Sequence, residues 1–187
     1  MTKLFDPFPV AELTLKNRLI VAPMCQYSAQ HGMPNDWHLV HLGRFALGGY
    51  ALVIAEASAV TPQGRITYGD VGIWNDEQVA VWKRITAFLK ENGAAAGIQL
   101  AHAGRKASTP LPWRGSFNET PAERQANAFE SWTPEAPSAE IHGPGDFTEP
   151  TELSVEQIKQ LVEDFAAAAR RAEQAGFDVV EIHGAHG

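Results

Sequence analysis

The sequence holds a single cysteine, Cys25, which excludes an internal disulfide framework and any metal site built from cysteines alone. No apolar stretch approaches the roughly 20 residues that span a membrane, and the opening Met1-Thr2-Lys3-Leu4-Phe5-Asp6-Pro7 lacks the apolar core of a secretory signal. Basic residues are outnumbered, 15 Lys and Arg against 22 Asp and Glu. The resulting net charge of −7 argues against nucleic acid and acidic membrane surfaces as partners, since both require basic patches. No Gly-x-Gly-x-x-Gly follows the first apolar run, so the phosphate-binding fingerprint of a dinucleotide fold is missing. What these absences leave is a soluble, mildly acidic protein, expected in the cytoplasm.

The composition that remains is ordinary and globular: 187 residues, 44% hydrophobic and 20% charged, enough for a sizeable core. Apolar runs alternate with helical patterns. Strands are expected near 19–24, 51–56, 96–100 and 178–183, the first ended by its proline. Between the first two, Asp36 through Leu47 reads as a helix with Leu39, Leu42, Phe45 and Ala46 on one face, stopped by Gly48-Gly49. A second helix is marked by Asn75 as cap with Gln78 three residues later, a stripe of Val79, Trp82, Ile85, Phe88 and Leu89, and a closing Gly93. A third begins at Ser154, whose box is completed by Gln157. Its stripe is Val155, Ile158, Leu161, Val162, Phe165 and Ala169, ending at Gly176.

Strands alternating with helices imply βαβ units and a parallel sheet. The beat breaks only over 105–150, a proline-rich stretch without a period, expected as an irregular insertion capping the site. An eight-stranded barrel needs about 250 residues. The fold class expected is therefore α/β: about four βα units, the N-terminal half of a (β/α)8 TIM barrel. Residues 1–187 are expected to form half of one TIM-barrel domain, and two unpaired parallel edges call for a complementary chain carrying strands five to eight.

Polar residues gather at the strand exits. Cys25, Gln26 and Tyr27 follow the first strand, Glu56 and Ser58 the second, Gln99 and His102 the third, His183 and His186 the fourth. In a barrel these ends converge on one face, which is the bottom-up case for an active site. Each residue has a plainer use. Cys25 fits a small buried hydrophobe, Gln99 a satisfier of backbone groups, and Arg105 and Lys106 a solvated pair. His38 and His41 fit surface or packing positions, and Glu56, buried at a strand end, needs a partner. His102, His183 and His186 also fit a metal-dependent enzyme, since imidazole is a common ligand.

Four motifs stand in order and at matching spacing: Pro23-Met24-Cys25-Gln26-Tyr27-Ser28, Asn35-Asp36-Trp37-His38, Gln99-Leu100-Ala101-His102-Ala103-Gly104-Arg105-Lys106-Ala107, and His183-Gly184-Ala185-His186-Gly187. Together they resemble the old yellow enzymes, FMN-dependent ene-reductases, in the bacterial branch of YqjM and xenobiotic reductase A. The resemblance implies FMN at the carboxyl end of the barrel, reduced by NADPH or NADH. It implies hydride delivery to the C=C of α,β-unsaturated carbonyl substrates. His183 and His186 match the pair that hydrogen-bonds the substrate oxygen, where negative charge builds as hydride arrives. Cys25 matches a cysteine that tunes the flavin, and Tyr27 a tyrosine on the substrate side. Pro23, Met24, Cys25, Ala57, Gln99 and His183 match cofactor contacts, Gln99 toward the pyrimidine end of the ring and Ala57 through its backbone.

The same resemblance implies that the proton-donating tyrosine, the later flavin-contacting arginine and the phosphate loops belong to the second half. The expectation is a split or truncated ene-reductase that needs strands five to eight and assembles as an oligomer. A non-catalytic half-barrel assembly module is the other reading of the same segments.

Overall fold

The computed structural model describes residues 3–113, 120, 122, 125, 131–143 and 147–185. Its centre is a four-stranded sheet of β3 (Ile20–Val21), β4 (Leu52–Ala59), β5 (Ala95–Ala101) and β8 (Val179–Ile182), in that order and parallel throughout. The helices between these strands are α1 (Asp36–Leu47), α2 (Asp76–Glu91) and α3 (Val155–Gln174). Before the sheet come β1 (Phe8–Val10) and β2 (Leu13–Leu15), an antiparallel pair. Within the insertion, β6 (Glu135–Ala136) pairs parallel with β7 (Thr151–Glu152), and Gly104–Lys106 form one turn of 3-10 helix.

Capping chemistry starts each helix. Asn75 with Gln78 and Ser154 with Gln157 form reciprocal boxes, as the sequence predicts. A third box forms at Asn35: its side chain accepts from Trp37 N–H, and its own N–H donates to Nδ1 of His38 at 3.0 Å. Histidine is an unusual third-position partner, so the Ser/Thr-x-x-Glu/Gln pattern does not announce it.

The helices bury one sheet face. Trp82, Ile85 and Leu89 of α2 are fully buried with Val53, Ala55, Ile98 and Leu100 of the strands. Trp82 also donates its indole N–H to the Gly72 carbonyl at 3.0 Å, which satisfies its one polar atom. On the other face the β1–β2 hairpin seats Leu15 against Ala51, Leu52 and Ile54, near the amino ends of the strands. With both faces covered there, β4 is buried along its whole length, which explains its unbroken apolar run. The carboxyl ends of the strands stay open.

Two of the sequence-based strand boundaries need correction. The first strand pairs only over Ile20–Val21, because the backbone of Pro23 has no N–H for a ladder. The second runs on to Ala59 past a register shift at Glu56. The α3 stripe is only partly covered: Ala168 and Ala172 are buried, while Val155, Ile158 and Val162 are exposed. Outward positions Val180 and Ile182 of β8 are likewise 41% and 71% exposed, at an edge where a fifth unit of a barrel would pack.

Candidate active site

Ala57 of β4, Gln99 of β5 and Glu181 of β8 form one rung across the sheet, close to its carboxyl end. Glu56 is the extra residue that shifts the register there, between the pairs Ala55–Ile98 and Ala57–Gln99. Such a bulge re-aims side chains at the rim of a sheet. Here it turns the Glu56 carboxylate toward the exit of β3, and it sets Ala57 beside Gln99. Gln99 Nε2 donates to Oε1 of Glu181 at 2.5 Å, which fixes the amide's orientation.

Glu56 finds the partners its burial demands. It is 3% exposed; Oε2 accepts the backbone N–H of Gln26 at 2.7 Å, and Oε1 lies 3.4 Å from Nε2 of His38. His38 is 1% exposed, so it is a buried strut rather than a surface residue. Its Nδ1 accepts from Asn35, so a neutral ring carries its proton on Nε2, which faces the carboxylate without completing a hydrogen bond.

This anchoring holds the turn that presents Cys25 and Tyr27. Tyr27 adopts φ of 50°, the left-handed region that costs a non-glycine residue about 1 kcal/mol. Gly69 is pressed against that turn, where a Cβ would meet the Tyr27 carbonyl oxygen at 2.6 Å. The Cys25 thiol is pushed up to about 12 by burial first, then by the charges of Asp70 and Glu56. The Tyr27 hydroxyl and the Ala57 backbone N–H oppose this by stabilising the thiolate. Burial and the same acidic neighbours also hold the Tyr27 phenol above its ordinary value. Trp113, at the start of the insertion, stands edge-on to the Tyr27 ring with centroids 6.2 Å apart.

A cleft with a cavity volume of about 40 Å³ opens at these strand ends, lined by Ala57, Ile66, Ala101, His102, Ala103, Lys106 and His183. His183 is half-buried, placed by its backbone N–H donating to the Leu100 carbonyl at 2.9 Å. His102 accepts the Gly104 N–H on Nδ1 at 3.2 Å, and burial lowers its pKa, so the ring is neutral with its proton on Nε2. Pro23 and Met24 lead into Cys25 outside the cleft wall, Met24 being 48% exposed. His186 lies outside the described residues. Among the described residues no group of three or more His, Cys, Asp or Glu is arranged to hold a metal ion. No helix among them is long and apolar enough to cross a membrane.

Sequence reasoning leaves three contributors unassigned. His38 lacks a recognisable cap pattern, and Asp70 sits in a loop without a motif. Lys106 adjoins Arg105, but the two part company: Arg105 bonds Glu140 at 2.9 Å and Ser138 at 3.0 Å, while Lys106 lines the cleft.

The residues present suit a planar cofactor. Ala57, Ala101 and Ala103 give the cleft small walls, and Gln99, fixed by Glu181, offers its amide oxygen on the same rung as the Ala57 backbone.

The family profile described as NADH:flavin oxidoreductase / NADH oxidase matches residues 3–187. The chain is 44% identical over 187 residues to an NADPH dehydrogenase of Bacillus subtilis, covering 99% of this chain and 49% of that protein. It is 47% identical over 186 residues to NADH:flavin oxidoreductase FG08077 of Gibberella zeae, covering 100% and 44% respectively. Morphinone reductase superposes with a TM-score of 0.78 at 30% identity, over 97% of this chain and 48% of that one. The old yellow enzyme of Pichia sp. AKU4542 gives 0.79 at 28% identity, over 98% and 46%. The chain thus spans about half the length of the relatives it matches. Its parallel sheet and three helices are half of their TIM barrel. FMN and a nicotinamide nucleotide are the cofactors of these relatives as a group. The chain belongs to the NADH:flavin oxidoreductase / NADH oxidase family, among the old yellow enzymes.

Proposed function

We infer that this chain supplies the first half of the active site of an NAD(P)H-dependent ene-reductase, with FMN held at the carboxyl ends of β3, β4, β5 and β8. The supporting observation is the convergence of His183, Ala57 and His102 on one cleft, beside the turn that carries Cys25 and Tyr27. Bound FMN supplies hydride storage between the nicotinamide nucleotide and the β-carbon of an α,β-unsaturated carbonyl compound.

The chain's own residues do the rest. Ala57 and Gln99 on their shared rung hold the cofactor, Pro23 and Met24 flank its edge, and Cys25 tunes it from the end of β3. His183 and His186 hydrogen-bond the carbonyl oxygen as it gains negative charge, an effect worth several kcal/mol in a water-poor site. Tyr27 bounds the substrate side. A complementary chain carrying strands five to eight closes the barrel, and the assembly is an oligomer.

The test is reconstitution. Mixing this chain with a segment carrying strands five to eight, FMN, NADPH and cyclohexenone should give enone-dependent NADPH oxidation. His183→Ala in that mixture should lower kcat/KM by about a hundredfold. A flavin-loaded assembly that oxidises NADPH with oxygen but never with an enone would overturn the ene-reductase reading.

A further inference from the structure

The cleft has an asymmetric electrostatic lining. His102, Lys106 and His183 line it with four apolar residues, and among the described residues no carboxylate joins them. Lys106 forms no salt bridge among the described residues, although its neighbour Arg105 is neutralised by Glu140. The backbone explains the difference. In the 3-10 turn Gly104–Lys106, side chains three apart eclipse, so Lys106 follows Ala103 to the cleft wall while Arg105 turns away toward Ser138 and Glu140.

His102 completes the wall. Gly64 gives its ring room, since a Cβ there would meet Cδ2 of His102 at 2.6 Å. With Nδ1 taken by Gly104, the remaining Nε2–H is a donor. His142, whose pKa is lowered by burial and then by the charges of Lys106 and Arg105, is an imidazole and supplies no counter-ion to the wall. The carboxylate whose charge His102 feels is Asp164, which accepts from Gln160 on α3 and lines a separate groove. A lysine ammonium at a partly dry wall without a counter-ion favours an anion, and a carboxylate suits it best with a second donor alongside.

We propose that Lys106 and His102 form a carboxylate subsite that makes the enzyme prefer α,β-unsaturated carbonyl compounds bearing an acid group. This rests on the ene-reductase reading, with the substrate's carbonyl toward His183 and its carboxylate toward the β5 exit.

β-Acetylacrylate and its methyl ester differ in that charge and by one methyl group, so the change that a Lys106 variant makes in their kcat/KM ratio in the FMN-loaded assembly reads the subsite. Lys106→Met should lower the acid-to-ester ratio about tenfold through KM, and Lys106→Arg should restore most of it. An unchanged ratio, or equal losses on acid and ester, would overturn the subsite. So would a rise confined to the KM for NADPH, which would assign Lys106 to the nucleotide. If the wild type reduces neither compound, the ene-reductase reading fails. Calorimetric titration with levulinate, the saturated analogue, then decides the subsite alone. Weaker binding by Lys106→Met supports it, and no binding by the wild type overturns it.

Discussion

Oε2 of Glu56 accepts the backbone N–H of Gln26 at 2.7 Å, tying a bulge in β4 to the turn after β3. Gln26 lies between Cys25 and Tyr27, so this one bond sets the position of both side chains. The carboxylate does it from a site only 3% exposed, where an unpaired N–H would be costly.

Glu56→Ala removes the acceptor and strands the Gln26 N–H. It should cost about 3 kcal/mol in urea unfolding of the chain, whereas Glu56→Gln, which keeps an oxygen for Gln26, should cost about 1. Equal losses from the two variants would show that the hydrogen bond does not hold the turn.

Cys25 is the chain's one cysteine, so thiol labelling reports on it alone. With its thiol pushed up to about 12 by burial and by Asp70 and Glu56, the thiolate is scarce at neutral pH. The higher basicity of that thiolate offsets part of the deficit, and labelling by iodoacetamide at pH 8 should run on the order of a hundredfold slower than for free cysteine. The rate should still be climbing at about pH 10, past the point where an ordinary thiol levels off near 8.5. A plateau near 8.5 would mean that the turn leaves Cys25 solvated.

Much of this arrangement is legible in the sequence, and the gaps have physical causes. Asn75 and Ser154 announce their helices because a glutamine three residues on completes each box. Asn35 does not, because its partner is His38, a residue whose capping use depends on tautomer and burial. The strand exits at Cys25, Gln99 and His183 are marked by apolar runs that stop at polar residues. The hairpin of Phe8–Val10 and Leu13–Leu15 is invisible to periodicity, since three-residue strands are too short to show one. The Glu56 bulge leaves no local signal either, because its position is set by the register between β4 and β5. Lys106 and Arg105 look alike in sequence; only the 3-10 turn sends them to different places.

Asp70 is buried and accepts the Ile66 N–H at 2.7 Å and the Thr67 hydroxyl at 2.9 Å. Burial outweighs these bonds and lifts its carboxyl from 3.8 to about 7, with the Glu56 charge adding to the rise. The folded state therefore holds its proton more tightly than the unfolded chain. The stability this contributes is full below the unfolded value of 3.8 and is lost as pH rises toward the folded value of about 7. Unfolding free energy should fall across that window by a few kcal/mol. Asp70→Asn, which cannot titrate, should flatten the profile whatever its effect on absolute stability. Parallel profiles for wild type and variant would place the titration elsewhere.

The open edge at β8 bears on flavin binding itself. Ile182 is 71% exposed and Val180 41%, on the sheet face that carries Ile98 and Leu100. An apolar outer strand face beside unpaired backbone groups favours association with further strands. The cleft at these strand ends would hold a ring from one side only, since its described walls all come from β4, β5 and the segments that follow β4, β5 and β8. Four strands should therefore bind FMN weakly, quenching its fluorescence only at high micromolar chain, and a segment carrying strands five to eight should tighten binding by at least about a hundredfold. Ile182→Glu separates assembly from site chemistry. It faces away from the cleft, so it should leave weak binding by the lone chain alone and abolish the gain from the added strands, because a charge there would be buried without a partner. Tight FMN binding by the chain by itself would show that four strands already enclose the cofactor, and an Ile182→Glu chain that still gains affinity would show that the second half docks elsewhere.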